Sequence, residues 1–128
     1  YKDVVLMLYN QRCGTEIDSA ISGAFAHEAC HMQEAYVYGE DPSKTYDVSG
    51  GWHDAGDYGR YVVPGAVTVA DLFRTYEDAA AIWDSDFGDS IGIPESGNNI
   101  PDILDEALLP GEYRKLSAEE IKDFINFA

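Results

Sequence analysis

The chain is poor in positive charge. Eight Lys and Arg residues stand against 24 Asp and Glu over 128 residues, a formal net charge of −16. That imbalance argues against nucleic acid and anionic membrane surfaces as partners, since both recruit clustered cations. Long apolar runs are missing as well. The longest, Val4 to Tyr9, is far too short to span a bilayer, and no secretory leader is visible. No segment alternates convincingly with the strand period, and there is no repeat or low-complexity tract. Cysteine and histidine are scarce, at two and three residues. The chain opens at Tyr1 rather than Met, which reads as processing or excision from something longer.

What is present suffices for a folded domain. The length is one domain's worth, and a hydrophobic fraction of 45% is enough for a core and argues against disorder. The acidic surplus is compatible with a neutral polymer such as a glucan. It also suits calcium, which takes oxygen ligands, although solubility alone accounts for much of it.

The apolar spacing predicts an all-α chain with long functional loops. Asp3 to Arg12 reads as a helix capped by Asp3 and ended by Gly14. A short helix is expected within Ala20 to Gln33. Pro64 opens the clearest helix, with Val69, Phe73, Tyr76, Ala80 and Trp83 along one seam. An acidic loop follows from Asp84 to Asn99. Asn99 and Pro101 then start a helix with Ile100, Ile103, Leu104, Ala107 and Leu108 on one side, stopped at Pro110-Gly111. Ser117-x-x-Glu120 has the capping-box form ahead of Ile121, Phe124 and Ile125.

The run from Asp47 to Tyr61 carries the chemistry. It includes Gly50-Gly51-Trp52-His53-Asp54-Ala55-Gly56-Asp57-Tyr58-Gly59, with four glycines in ten residues, and is read as a loop. Two carboxylates, Asp54 and Asp57, stand three apart among aromatic side chains. Aromatic rings stack on the apolar faces of sugars, and a carboxylate can take a proton from water as it attacks a glycosidic carbon. The plain alternative is a glycine-rich turn with two solvated acids. Trp52, Tyr58 and Tyr61 are candidate sugar platforms or ordinary core residues. Trp83 and Tyr76 read as core, and Arg60 as a partner for a nearby acid.

Cys13, Cys30-His31 and His53 form a second constellation. Two thiolates and two imidazoles make a closed tetrahedral set suited to structural zinc. Their separations of 17, 1 and 22 positions match no zinc finger. The alternative is a Cys13–Cys30 disulfide with two surface histidines. A competing pattern overlaps it: His27-Glu28-Ala29-Cys30-His31 fits His-Glu-x-x-His, in which a helix would set His27 and His31 on one face with Glu28 as general base of a zinc metalloprotease. That reading leaves Cys13, His53 and the Asp54/Asp57 run unexplained.

Both long motifs resemble glycoside hydrolase family 9, the inverting cellulases. The resemblance implies Asp57 as the general base and Asp54 as the residue that helps hold the water. Arg12-Cys13, Cys30-His31 and the His53 before Asp54 resemble the zinc site of the branch whose catalytic domain often follows an immunoglobulin-like module. Carried over, the ligands are Cys13, Cys30, His31 and His53, with zinc anchoring the loop that aims the acids. The segment Ile93 to Ala107 resembles a proline-rich entry into a long barrel helix. Its acids, or Asp84, Asp86 and Asp89, are candidate calcium ligands, against the simpler reading of a solvated loop and acids favoured at a helix N-terminus.

The resemblance covers about 4–107, leaves 108–128 unmatched, and implies the N-terminal portion of an (α/α)6 barrel acting on β-1,4-glucans, in a secreted or extracellular protein. Twelve helices of roughly 12 residues with loops of about 5 need well over this length. The expectation is therefore a partial catalytic domain over 1–128, inactive by itself. It would lack the general acid and work with the remainder of the domain and accessory modules. The other functional class is a zinc-stabilised carbohydrate-binding or interaction module without turnover.

Overall fold

The computed structural model describes residues 1–108. The expected capping box at Ser117 and the stop at Pro110-Gly111 lie outside the described residues. Within them every regular element is helical: α1 (Lys2–Tyr9), α2 (Ser19–Ser22), a 3-10 turn (Gly23–Phe25), α3 (Val62–Asp78), α4 (Ala80–Trp83) and α5 (Asp102–Ala107). Extended backbone occurs only as isolated antiparallel bridges, Arg12 with Trp52, Ile17 with His27 and Ala35 with Tyr46. This is the N-terminal portion of an α/α barrel, with loops carrying more of the chain than helices. No helix is long and apolar enough to cross a membrane among the described residues.

The core gathers where α5 packs on both α1 and α3. Val5 and Tyr9 come from α1, Leu72 and Tyr76 from α3, and Ile103, Leu104 and Ala107 from α5; Trp83, Ile91 and Ile93 close it. Helices α1 and α3 each bury one face here, and α1 and α5, at 8 and 6 residues, are too short to persist without such packing.

Several helix boundaries differ from the sequence reading. Asp3 lies in the first turn of α1 and is not its cap; Tyr1 holds that position. The acid still favours the helix through the dipole. Helix α1 ends at Tyr9, well before Gly14. The expected helix within Ala20 to Gln33 shrinks to α2, capped by Asp18, whose side chain accepts from the Ala20 N–H at 2.7 Å. Gly23, at φ 54°, turns the chain out of it. Helix α3 begins two residues before Pro64, which a first turn tolerates because the N–H that proline lacks would have no intrahelical acceptor there. The long seam is interrupted at Ala79, where φ is −138°, so α4 is a separate turn. The break folds Trp83 back, and its indole N–H donates to the Thr75 carbonyl at 3.2 Å. Trp83 and Tyr76 are buried, as expected.

The acidic loop is built by its own side chains. Asp89 accepts from the Gly97 N–H at 2.7 Å through one oxygen and from the Asn99 N–H at 2.8 Å through the other. Buried Asp102 accepts from the Ile91 N–H and the Ser96 hydroxyl, both at 2.7 Å. These acids organise backbone. Among the described residues, no set of Asp84, Asp86 and Asp89 converges on a common point, so the calcium reading gains no ligand cluster there.

Asp105 yields a test of this packing. Burial pushes its carboxyl up to about 7, opposed by the Asn98 amide and reinforced by the negative charge of Glu95, Asp102 and Asp89. A carboxyl raised on folding disfavours its charged form in the native state. Its relative stability is therefore full below about pH 4, the unfolded value, and is lost as pH rises through 7. Asp105→Asn is expected to stabilise at pH 8 by roughly 1–2 kcal/mol, a figure reduced for partial solvent screening, and to be near neutral at pH 4. Urea unfolding at the two pH values measures this. A parent–variant difference independent of pH contradicts it.

Candidate metal centre and acid loop

The chain after α1 runs antiparallel to the stretch around Trp52. The Cys13 N–H donates to the Gly51 carbonyl and the His53 N–H to the Gln11 carbonyl, both at 2.8 Å. Gly14 makes the approach close: at φ 75°, a Cβ there would sit 2.8 Å from the Gly50 nitrogen. A side chain at position 14 would push the two segments apart. The glycine expected to end a helix instead permits this crossing.

The crossing brings Cys13 beside His53, and the loop after His27 adds Cys30 and His31. One ligand atom from each of these four residues lies within 4.8 Å of every other. The two sulfurs are 3.9 Å apart, and Cys30 Sγ is 3.6 Å from His53 Nε2. A disulfide needs sulfurs about 2.05 Å apart, and both cysteines are free. Tetrahedral bonds of about 2.3 Å to sulfur and 2.05 Å to nitrogen set two thiolates roughly 3.8 Å apart, and a thiolate and an imidazole roughly 3.6 Å apart. The donor set and its spacing therefore fit zinc. Burial lowers the His53 pKa, with His31, His27 and Arg60 adding to the effect, and favours the neutral imidazole that binds a metal. At Cys13, burial raises the thiol and the positive charge of Arg60 opposes it. Among the described residues Arg60 does not take the acidic partner expected for it. Its guanidinium donates to the carbonyls of Val48 and Gly50, holding the glycine turn.

The protease pattern is not assembled. Residues from His27 to His31 form no helix, His31 has φ 54°, and His27 pairs through its backbone with Ile17. His27 and His31 thus share no helix face, and the His27 Nδ1 lies 2.8 Å from the Glu28 carbonyl. Glu28→Ala is expected to leave metal content unchanged and thermal stability within about 0.5 kcal/mol, as for an ordinary surface site. Loss of the metal in that variant contradicts this placement.

Directly after His53, the loop closes on itself. The Asp54 N–H donates to the Gly59 carbonyl at 2.8 Å, and the Tyr58 N–H to the Ala55 carbonyl at 2.9 Å. Asp57 Oδ1 accepts from the Gly59 N–H at 2.9 Å, and the Tyr61 hydroxyl approaches Oδ2 at 3.4 Å. Tyr58, at φ 57°, turns its ring edge-on to His53, with centroids 5.0 Å apart. Both acids are exposed. Trp52, Asp54, Tyr58 and Tyr61 line one open cavity of about 1260 Å³ together with the start of α3. Asp57 is not among its lining residues.

One group went unread in the sequence. Arg12 is buried and donates to Glu106 from Nη2 at 2.8 Å and from Nε at 3.2 Å. Its Nη1 donates to both oxygens of Glu95, at 3.2 and 3.1 Å. The Trp52 indole N–H donates to Glu106 Oε1 at 2.6 Å. Burial pushes the Glu106 carboxyl up, while Arg12 and Trp52 hold it down. The missed signal was position. At about 100° per residue, Glu106 falls within the same arc as Ile103 and Ala107.

Comparison with known proteins places this geometry. The sequence profile of glycosyl hydrolase family 9 matches residues 1–113. The chain is 42% identical over 105 residues to a cellodextrinase of Butyrivibrio fibrisolvens, covering 82% of this chain and 19% of that protein. It is 40% identical over 123 residues to endoglucanase C of Cellulomonas fimi, covering 82% and 11%. A metagenome-derived glycoside hydrolase family 9 endoglucanase of known structure superposes with a TM-score of 0.66 at 42% identity, over 84% of this chain and 20% of that one. The chain thus spans between about a tenth and a fifth of these relatives' length.

Proposed function

The chain belongs to glycosyl hydrolase family 9, and on that premise we propose that residues 1–128 are part of a catalytic domain that hydrolyses β-1,4-glucosidic bonds by inversion. The observation that carries this reading is the direct succession of a metal-ligand position, His53, and the first acid, Asp54, in a loop closed by backbone hydrogen bonds. Relatives named as cellodextrinase, endoglucanase and cellobiosidase support a β-glucan substrate.

In this reading Asp57 is the general base. It takes a proton from water as the water oxygen bonds to the anomeric carbon, while Asp54 accepts the water's other hydrogen and aims it. The leaving glucosyl oxygen receives its proton from an acid on the opposite side of the bond, with the carboxyls roughly 6.5–9.5 Å apart. Asp54 and Asp57 share one loop and so serve the water side. The acid is supplied by the remainder of the catalytic domain. Trp52, Tyr58 and Tyr61 offer ring faces and edges to the glucan along the cavity that Asp54 enters. Cys13, Cys30, His31 and His53 would hold a structural zinc, whose chemistry is a cross-link between three loop segments. The zinc-containing branch, an accessory immunoglobulin-like module and secretion are parts of the same proposal.

A reducing-sugar assay on carboxymethylcellulose and cellodextrins tests it, with the complete catalytic domain and the 128-residue chain side by side. The complete domain is expected to release sugar and the chain alone to release none. Binding of cellulose without release by the complete domain would instead favour a carbohydrate-binding module.

A further inference from the structure

Arg12, Trp52 and Glu106 close a triangle. Arg12 and Trp52 face each other across the backbone bridge, and both side chains converge on the same carboxylate. That carboxylate is completely buried and comes from α5, which also supplies Ile103 and Leu104 to the core. The Trp52 end of the triangle is two residues from Asp54, and the Arg12 end is one residue from Cys13. The acid loop is therefore tied to the helical core through side chains as well as through the Cys/His set.

We propose that Glu106 and Arg12 are positioning residues for the acid loop, acting through the Trp52 indole N–H. The inference rests on the reading that Asp54 and Asp57 serve hydrolysis, and adds two residues to which the sequence reading assigned no part in aiming these acids. The chemistry favours fixed geometry. Hydrogen bonds to an ionised acceptor are about twice as strong as neutral ones, and an Arg fork fixes direction as well as distance. Glu95 accepts from the third guanidinium nitrogen, so rotation of Arg12 breaks contacts on two carboxylates at once. The Trp52 N–H bond to Glu106 at 2.6 Å ties position 52 to α5 two residues before Asp54. A loop of four glycines in ten residues has little stiffness of its own.

The test uses the complete catalytic domain with zinc content measured for every sample. Trp52→Phe keeps an aromatic ring and removes the N–H. Glu106→Gln keeps an oxygen acceptor, and Glu106→Leu removes it. Two readouts are taken: hydrogen exchange at the His53 and Asp54 amides, against the amides of α3 as an internal reference, and kcat with KM on a soluble cellodextrin. Trp52→Phe and Glu106→Leu are expected to speed exchange at 53 and 54 about 10-fold or more without changing α3, as local opening does. Both should also lower kcat per zinc-loaded molecule about 10-fold, since small misplacements at a reacting centre are costly, with KM within about two-fold in Glu106→Leu, which keeps the Trp52 ring. Glu106→Gln should recover most of both. The double variant Trp52→Phe/Glu106→Leu should be no worse than Glu106→Leu alone.

Unchanged exchange at His53 and Asp54 in Trp52→Phe overturns the proposal. So does a loss confined to stability, with kcat per folded molecule intact. A parent domain that releases no sugar refutes the hydrolase reading, and the exchange readout, taken also in Arg12→Met, then still decides whether Glu106 and Arg12 hold the loop.

Discussion

Asp57→Asn is expected to lower turnover of the complete catalytic domain by about 10²–10⁴-fold, the usual contribution of a positioned general base. The substituted amide has nearly the same shape. It can still accept from the Gly59 N–H and meet the Tyr61 hydroxyl, so the loop that Asp57 helps to close should persist. What it cannot do is take a proton from water. The loss should therefore fall on kcat, with metal content and thermal midpoint unchanged. Asp54→Asn should also be damaging, through the orientation of the water, though the Asp54 N–H that closes the loop on Gly59 is a backbone group and survives. Steady-state kinetics on a soluble cellodextrin measure both. Retention of full kcat in Asp57→Asn would remove the base from this loop.

Loss of one metal ligand is expected to have an equally large effect, on stability. The Cys/His set gathers the segment after α1, the loop around Cys30-His31 and the turn entering Asp54; the first and last also reach the core through Ile17 and Trp52, whereas residues 28–48 include no buried side chain. From Met32 to Val48 the chain is exposed throughout; the bridge between Ala35 and Tyr46 only folds this segment on itself, and the Arg60 guanidinium reaches it at the Val48 carbonyl. Structural zinc contributes folding free energy outright, with apparent values of about 10–16 kcal/mol in isolated zinc-finger peptides. Here none of the four ligand residues belongs to the cluster formed by α1, α3 and α5, so the expectation is local: Cys13→Ser and chelation should each lower the thermal midpoint to the same extent and release protection in residues 27–59. Calorimetry and hydrogen exchange, with and without chelator, measure this. A chelator without effect on an initially zinc-loaded protein would contradict it.

The sequence showed part of this architecture plainly. The face of α5 from Ile103 to Ala107 and the burial of Tyr76 and Trp83 followed from spacing, because local periodicity and packing agree there. The Cys/His set was legible for another reason: scarce residue types stood beside a glycine-rich acid motif, and the structure gathers all four. What resisted reading depended on contacts between distant segments. The extent of α2 was set by Gly23 and by a loop that pairs with Ile17, neither of which leaves a periodic trace. The break at Ala79 has no proline or glycine to mark it. Glu106 stood among acids read as calcium candidates or as helix-terminal charges because its partner Arg12 lies 94 residues away, and charge alone does not say which acid a buried arginine will meet. Gly14 and Arg60 carried correct signals, a glycine conformation and a positive charge, with misread uses.

Zinc X-ray absorption on the purified protein tests the central claim most directly, because the account stands on a metal-clamped loop that carries Asp54 and Asp57. The predicted result is about one zinc per chain with two sulfur neighbours near 2.3 Å and two nitrogen neighbours near 2.0 Å, the nitrogen signal falling by half in a His53→Ala variant. A metal-free protein with a Cys13–Cys30 disulfide, or a zinc whose shell is indifferent to His53, would contradict it.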